Sequence, residues 1–301
     1  KPPFILDFVR DGIKKAQSEC EQQFQRNRWN CTSVDNHLFK ILSRGYKESA
    51  FSFAILSAGI TYMLTNACGE GLLPECYCEK SKASNNTFHY TNGSSWHMNE
   101  CSDNVEVASK LVLEPPTTRS RRNVDTKALV VEHNNRLGIQ ALQNTLTLEC
   151  KCHGISGTCA TKTCLRKMPS FSLIGDYLNH KFHLARRVLH SRSGYELRVP
   201  AKGGQTRQPR LDELLYYEKS PSFCLPDPDL GWAGTSGREC SLYPSVSMYG
   251  RSRDSCDTLC CQRGYYTRYQ TVEVDCNCRY VHCCEVRCER CNTTRPLHYC
   301  R

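Results

Sequence analysis

Apolar residues recur at helical spacing through the first two thirds of the chain. They return at intervals typical of amphipathic or buried α-helices. Ser170 is placed to cap the last of these stretches, and Gly69 to stop the second. Between the second and third of these stretches, residues 79–124 are polar and predict a surface loop. The first stretch that predicts a helix begins at residue 4 and ends near Trp29 and Cys31. The others are residues 48–67, 125–142 and 174–189.

The last part of the chain follows a different pattern. Residues 269–275 alternate as a β-strand does, and cysteines crowd the sequence that follows. Because this region has too few apolar residues to form a hydrophobic core, disulfides must substitute for that core. We predict an α+β, disulfide-rich fold with a helical amino-terminal domain (1–205), a linker (206–222) and a small cystine-braced β-hairpin domain (223–301).

The cysteine count indicates the compartment. The chain has 22 cysteines, an even number, which the secretory pathway would pair and the cytosol would keep reduced. N-glycosylation sequons at Asn85, Asn92 and Asn292 support that route. The opening KPPFILDF lacks the pattern of a targeting signal, so we expect a mature start. The apolar run 50–64 is shorter than a bilayer span and predicts a buried helix.

The charge is strongly basic and concentrated. The formal net charge is +10, and residues 181–210 hold eight Lys or Arg against one acid, Glu196. For a secreted protein the acidic partners are sulfated glycans such as heparan sulfate, or membrane surfaces, and not nucleic acid. A solvated basic surface without a dedicated ligand remains the alternative.

Cysteine spacing predicts two braced hairpins. In residues 150–164 the pair Cys152–Cys159 nests inside Cys150–Cys164. The finger hairpin, residues 276–291, has concentric rungs Cys276–Cys291, Cys278–Cys288 and Cys283–Cys284, the last between adjacent residues. Near its tip stand Tyr280, Val281, His282 and Val286. These side chains either form a contact surface or pack on the disulfides.

Ser156 lies midway between the inner pair of cysteines of the first hairpin. A serine hydrolase needs G-x-S-x-G, but Thr158 stands where the second glycine belongs. A disulfide-bound tip offers no buried pocket or orienting carboxylate. We therefore expect no enzyme, no catalytic residue and no cofactor, and interpret Ser156 as the substrate of another enzyme.

Two further patterns have alternative interpretations. Spacings such as CxC and CxxC after Cys276 allow a zinc cluster, but repeated C-x2-C knuckles are not clearly present, so we expect no metal. The sequence RSRR at residues 119–122 fits a dibasic processing site or simply a basic exposed loop.

The motif CKCHGISGTCATKTC (150–164) closely resembles the acylation hairpin of Wnt proteins. Further blocks match in order along nearly the whole chain: FQRNRWNCTS (24–33), GYKESAFSFAILSAG (45–59), CSDN (101–104), EHNNRLGIQAL (132–142), YEKSPSFC (217–224), GTSGREC (234–240), DSCDTLCCQRGY (254–265) and CNCRYVHCCEVRCERC (276–291). Departures include Leu165 where tryptophan is usual, and Val281-His282 in place of an aromatic pair. The second departure leaves the receptor subtype open.

The resemblance implies a secreted signalling glycoprotein with saposin-like amino-terminal helices and a monounsaturated fatty acyl ester, palmitoleate, on Ser156. It implies that the lipidated hairpin and the finger grip the cysteine-rich domain of a Frizzled-type receptor. A low-density-lipoprotein-receptor-related co-receptor and lipid carriers would be further partners. A secreted antagonist or glycan-anchored binding module on the same scaffold is the alternative. The receptor contacts expected are His153, Gly154, Ile155, Ser156, Gly157, Tyr280, Val281, His282, Cys283, Cys284 and Val286.

The resemblance also implies a pairing for the remaining cysteines, which leaves no thiol free. The implied pairs are Cys20–Cys31, Cys68–Cys76, Cys78–Cys101, Cys224–Cys261, Cys240–Cys256 and Cys260–Cys300.

Overall fold

The chain divides into two compact units. The computed structural model describes residues 3–32, 40–73, 76, 88–89, 95–98, 103–113, 125–154, 156, 158–159, 161–189, 196–243, 246–247, 250–251, 254–281 and 285–301. The first unit comprises Lys1–Gln23 and Leu38–Ser220, and the second comprises Phe24–His37 and Pro221–Arg301.

Helices dominate the first unit. The α-helices of the chain are α1 (Pro3–Phe24), α2 (Lys47–Gly69), α3 (Val105–Leu113), α4 (Thr126–Thr145), α5 (Phe171–His183) and the short α6 (Cys256–Leu259) of the second unit. Single 3₁₀ turns occur at Lys40–Ser43 and Lys202–Gly204.

Helix α2 is the centre of the helical core, because its sequence is apolar on almost every side. It packs on α3, α4 and α5. Its length and composition would allow it to cross a membrane, but 67% of its most apolar window is buried inside the protein. At its crossing with α4, a Cβ on Gly138 would overlap the Ala54 carbonyl, so only a glycine permits this close approach. The buried helix predicted over residues 50–64 is therefore present.

Short strands complete the first unit. They are β1 (Phe88–His89), β2 (Ser95–Met98), β3 (Thr147–His153), β4 (Thr161–Lys167), β5 (Arg186–Arg187), β6 (Val199–Pro200), β7 (Thr206–Arg207) and β8 (Leu215–Tyr216). One sheet has the order β1-β2-β4-β3, in which β3 and β4 are antiparallel and β2 runs parallel to β4. β5 pairs with β8 in parallel, and β6 with β7 in antiparallel.

Two sequence expectations are wrong in the first unit. Helix α5 ends at His183 rather than near Leu189, because the chain turns to pair with β8 through Arg186 N–H to Leu214 O (2.8 Å). The stretch 79–124 is not wholly loop, since it contains β1, β2 and α3. The Asn104 side chain accepts the Val107 N–H at the start of α3, and the apolar face of this short helix joins the core.

The expected linker 206–222 differs from the observed division. Leu214 and Leu215 are fully buried, and the chain belongs to the helical unit as far as Ser220. The buried side chain of Asn134 on α4 secures this segment. Its amide donates to Leu215 O and accepts from Leu215 N–H, both at 2.9 Å. A buried amide that satisfies one residue's backbone on both sides acts as an added rung of sheet.

The second unit is held by disulfides and a few aromatic rings. Its strands are β9 (Glu239–Cys240), β10 (Val246–Ser247), β11 (Gly250–Arg251), β12 (Tyr265–Val281) and β13 (Glu285–Cys300). One sheet has the order β12-β13-β9. The residues 24–29 contribute to this unit: Trp29 contacts Phe24 (ring centroids 4.9 Å apart) and Phe223 (6.5 Å).

The core beneath this sheet consists of four half-cystines and one leucine, Leu259. Disulfides therefore take the place of an apolar core here, as the composition predicts. The predicted α+β, disulfide-rich fold class is confirmed.

Candidate functional site

The hairpin of β3 and β4 displays Ser156. The antiparallel ladder runs from Thr147 opposite Lys167 to His153 opposite Thr161, and it places Cys150 directly opposite Cys164. The structure contains the Cys150–Cys164 and Cys152–Cys159 disulfides, which are the pairs that the nested spacing predicts. Two covalent bonds therefore join the two sides of the hairpin at the base of its tip.

Ser156 adopts an unusual backbone conformation at this tip. Its φ is +59°, in the left-handed region that residues other than Gly, Asn and Asp seldom occupy, and the residue is exposed. Gly154 makes the turn possible because a Cβ there would overlap the carbonyl of Thr158. The result is a hydroxyl-bearing residue presented to solvent at a braced tip. Ile155, Gly157 and the side chain of His153 lie outside the described residues.

This geometry differs from that of a serine nucleophile. A nucleophile elbow joins a strand to a helix, whereas Ser156 joins two antiparallel strands. The charges described on these strands include a surface ion pair, Lys167 Nζ to Glu149 at 3.3 Å, and the exposed Lys151 and Arg166. An exposed hairpin tip of this kind lacks the enclosed, water-poor surroundings in which catalytic groups act.

One cysteine group has the compactness of a metal site. The sulfurs of Cys240, Cys256 and Cys260 lie within 4.8 Å of one another, the only such group found among the described residues. All three are already oxidised, in the disulfides Cys240–Cys256 and Cys260–Cys300. A thiolate ligand is not available from a disulfide, so this cluster does not suit zinc.

The finger hairpin is formed by β12 and β13. The disulfides Cys276–Cys291 and Cys278–Cys288 cross it. Beyond them, Tyr280 lies opposite Val286, with 73% and 62% of their surfaces exposed. Cross-strand partners project from the same face, so these two side chains form an exposed apolar pair. His282, Cys283 and Cys284 lie outside the described residues.

The remaining disulfides divide into observed bonds and predictions. Cys68–Cys76 and Cys224–Cys261 are formed. Cys20 and Cys31 are each disulfide-bonded, and their pairing with one another stays a prediction. The predicted pair Cys78–Cys101 lies outside the described residues.

The sequons are placed differently from one another. Asn292 lies in β13, exposed and opposite Glu273, so it sits on a strand rather than on a loop. Asn85 and Asn92 lie outside the described residues.

The basic segment 181–210 is partly neutralised by acids of the same unit. Arg207 binds both carboxylate oxygens of Glu213, and Arg186 lies 3.8 Å from the same group. Burial alone would raise the pKa of Glu213, but the hydrogen bond from Arg207 and the neighbouring cations hold it below its ordinary value. Lys181 pairs with Asp212 at 2.8 Å. Part of this positive charge therefore stabilises the fold.

Sequence reasoning missed two backbone features of the candidate sites. One is the left-handed conformation of Ser156, and the other is that of Asn277 (φ +48°), where the register of the finger changes. The asparagine itself was the available signal for the second, because Asn tolerates positive φ better than most residues. Ser156 offered no such signal.

Together these features define a class: a disulfide-braced protein with a helical unit, a cystine-rich sheet unit and two covalently braced hairpins. A sequence model of the wnt family matches residues 1–301. Protein Wnt-1 of Ambystoma mexicanum is 36% identical over 307 residues, covering 99% of this chain and 80% of that protein. Protein Wnt-1 of Danio rerio is 37% identical over 309 residues, with the same coverage of 99% and 80%.

Solved structures give the same result. A chain from the structure of human WLS in complex with WNT8A is 31% identical, with a TM-score of 0.65 over 98% of this chain and 93% of that chain. The amino-terminal domain and linker of Drosophila WntD share the fold at 22% identity and a TM-score of 0.51, covering 73% of this chain and 98% of that chain. The chain belongs to the Wnt family, whose members are secreted signalling ligands.

Proposed function

We propose that this protein is a secreted Wnt-type ligand that engages the cysteine-rich domain of a Frizzled-type receptor through an acylated Ser156 and the finger hairpin. The observation that carries the proposal is the exposed Ser156 at a tip closed by two disulfides. A residue in that position can enter the active site of an acyltransferase without local unfolding. The attached palmitoleoyl chain would then project away from the helical unit.

A lipid suits such a tip energetically. Burial of hydrocarbon contributes about 0.8 kcal/mol per CH2, so a palmitoleoyl chain held in a receptor groove contributes on the order of 10 kcal/mol if fully covered. The braced tip lets the receptor gain this energy with little ordering of the ligand. The same chain in water would need a carrier or a membrane. By similarity to the WLS complex, we infer that a WLS-type protein binds this chain.

The finger supplies the second proposed contact. Tyr280 and Val286 present an apolar pair next to Val281 at the end of a long, disulfide-crossed ribbon. Aromatic side chains at such positions are frequent anchors of protein interfaces. We infer that His282, Cys283 and Cys284 belong to the same contact, as His153, Gly154, Ile155 and Gly157 do around Ser156.

Two more partners are proposed, one from family membership and one from charge. A low-density-lipoprotein-receptor-related co-receptor is inferred from family membership. Heparan sulfate is inferred from charge: Arg187 and Arg210 are exposed in the basic segment, whereas Arg186 and Arg207 are engaged by Glu213. Sulfate groups bind exposed guanidinium groups through charge-assisted hydrogen bonds.

Receptor binding by matched serine variants tests the proposal. Ser156→Gly removes the hydroxyl yet suits a φ of +59°, so it separates loss of acylation from backbone strain. Ser156→Ala removes the hydroxyl without that relief. We expect both variants to form the Cys150–Cys164 disulfide but to lose binding to an immobilised Frizzled-type cysteine-rich domain.

The hydroxyl of Thr158, two residues from Ser156, provides the control. Thr158→Ala changes a neighbouring hydroxyl and is expected to retain binding. Wild-type affinity in Ser156→Gly would contradict the proposal. If the wild type binds the receptor domain without activating a signalling reporter, the protein is an antagonist on the same scaffold.

A further inference from the structure

The finger contains a β-bulge just before its apolar tip. Up to Cys276, which lies opposite Glu289, the β12–β13 ladder is regular, and it resumes at Arg279 opposite Arg287. Two residues of β12, Asn277 and Cys278, therefore oppose one residue of β13. Such an extra residue shifts the register of everything beyond it.

The shift decides which side chains meet at the tip. Continued without the bulge, the first register would put Tyr280 opposite Glu285 and Val286 opposite Arg279. With the bulge, Tyr280 lies opposite Val286. The register change thus brings the two apolar side chains opposite each other, with Arg279 opposite Arg287 and Val281 opposite Glu285 on either side. The Cys278–Cys288 disulfide lies in this second register.

The residue at the bulge is suited to it. Asn277 has φ +48°, which asparagine and glycine accept more readily than β-branched residues. Its Nδ2 also donates to Glu289 Oε2 across the strands at 2.9 Å. The left-handed backbone of Asn277 therefore accommodates the extra residue, and the strands remain paired before and after the bulge.

We propose that Asn277 is the positioning residue of the finger tip: its left-handed conformation sets the register that joins Tyr280 to Val286 as one contact surface for the receptor. The receptor contact itself is the one proposed above. Asn277 touches no partner in this scheme. It acts by placing the two side chains that do, and its backbone conformation matters more than its bond to Glu289.

The test compares full-length acylated variants for affinity to the receptor cysteine-rich domain and for the Cys278–Cys288 bond, mapped by mass spectrometry. Asn277→Val disfavours positive φ and is expected to lower affinity by about tenfold, in the range of a lost interface anchor, and to reduce the share of molecules with that bond. Asn277→Gly permits the conformation and is expected to retain both. Gln270→Val, at an exposed position of regular β12, controls for adding a β-branched residue.

Each outcome decides one point. Retention of affinity and of the disulfide in Asn277→Val overturns the proposal, and so does their loss in Asn277→Gly, because glycine accepts the same backbone. Tyr280→Ala is run in parallel. If it binds as the wild type does, the finger contact of the proposed function fails, and the disulfide map alone still decides whether Asn277 sets the register.

Discussion

Removal of the Asn134 side chain should detach the segment around Leu215 from the helical core. The amide is fully buried, and both of its hydrogen bonds go to the backbone of Leu215. In Asn134→Ala the Leu215 N–H and C=O stay buried without partners. Each such group costs about 1–3 kcal/mol, so we expect a loss of roughly 2–6 kcal/mol in the free energy of unfolding.

Urea unfolding with intact disulfides, followed by circular dichroism, measures the loss. Hydrogen exchange of the Leu215 amide reports on the segment directly and should accelerate in the variant. Asn144→Ala is the matched control, because Asn144 is exposed and donates to the hydroxyl of Tyr177 at 3.2 Å, with no backbone group depending on it among the described residues. A variant within 0.5 kcal/mol of wild type, about the scatter of surface substitutions, with unchanged Leu215 exchange would refute the reasoning.

Two other predictions concern packing and pH. Gly138→Ala should lower the free energy of unfolding in urea by roughly 1–3 kcal/mol, since the new methyl group overlaps the Ala54 carbonyl. Gly69→Ala is the control and should be neutral, because its new Cβ would lie 3.6 Å from Asp103 Oδ1. Burial lowers the pKa of His133 below its ordinary 6.5, so the unfolded chain takes up the proton first as pH falls. Its contribution to stability is therefore present above pH 6.5 and lost progressively below it. His133→Gln should flatten the decline of unfolding free energy in that range, and an unchanged slope would count against it.

The helices were the most predictable part of the fold. The apolar period defines α2 and α4 within a few residues, because each buries one face or all faces against neighbours. The end of the first helix was predicted wrongly, since α1 ends at Phe24 and not near Trp29. The period misled beyond His183, where pairing with Leu215 and Tyr216 converts the continuation of α5 into a strand. Tertiary pairing of this kind leaves no local signal.

The candidate sites were predictable in residue type but not in backbone detail. Symmetric cysteine spacing points to the braced tips around Ser156 and Tyr280. It carries no information on the positive φ of Ser156 or on the register change at Asn277, since both depend on how two strands meet. The place of residues 24–29 in the carboxy-terminal unit could not be predicted either. In the sequence Trp29 marks the end of a predicted helix, and its contact with Phe223 is seen only in the structure.

The mass of the Ser156 peptide tests the central claim most directly. Protein secreted from cells is digested without reduction of the Cys150–Cys164 and Cys152–Cys159 bonds, and the peptide that contains Ser156 is weighed and fragmented. We expect the mass of a monounsaturated palmitoleoyl ester on Ser156, absent from Ser156→Gly. An unmodified Ser156 in protein that still activates a receptor would contradict the account.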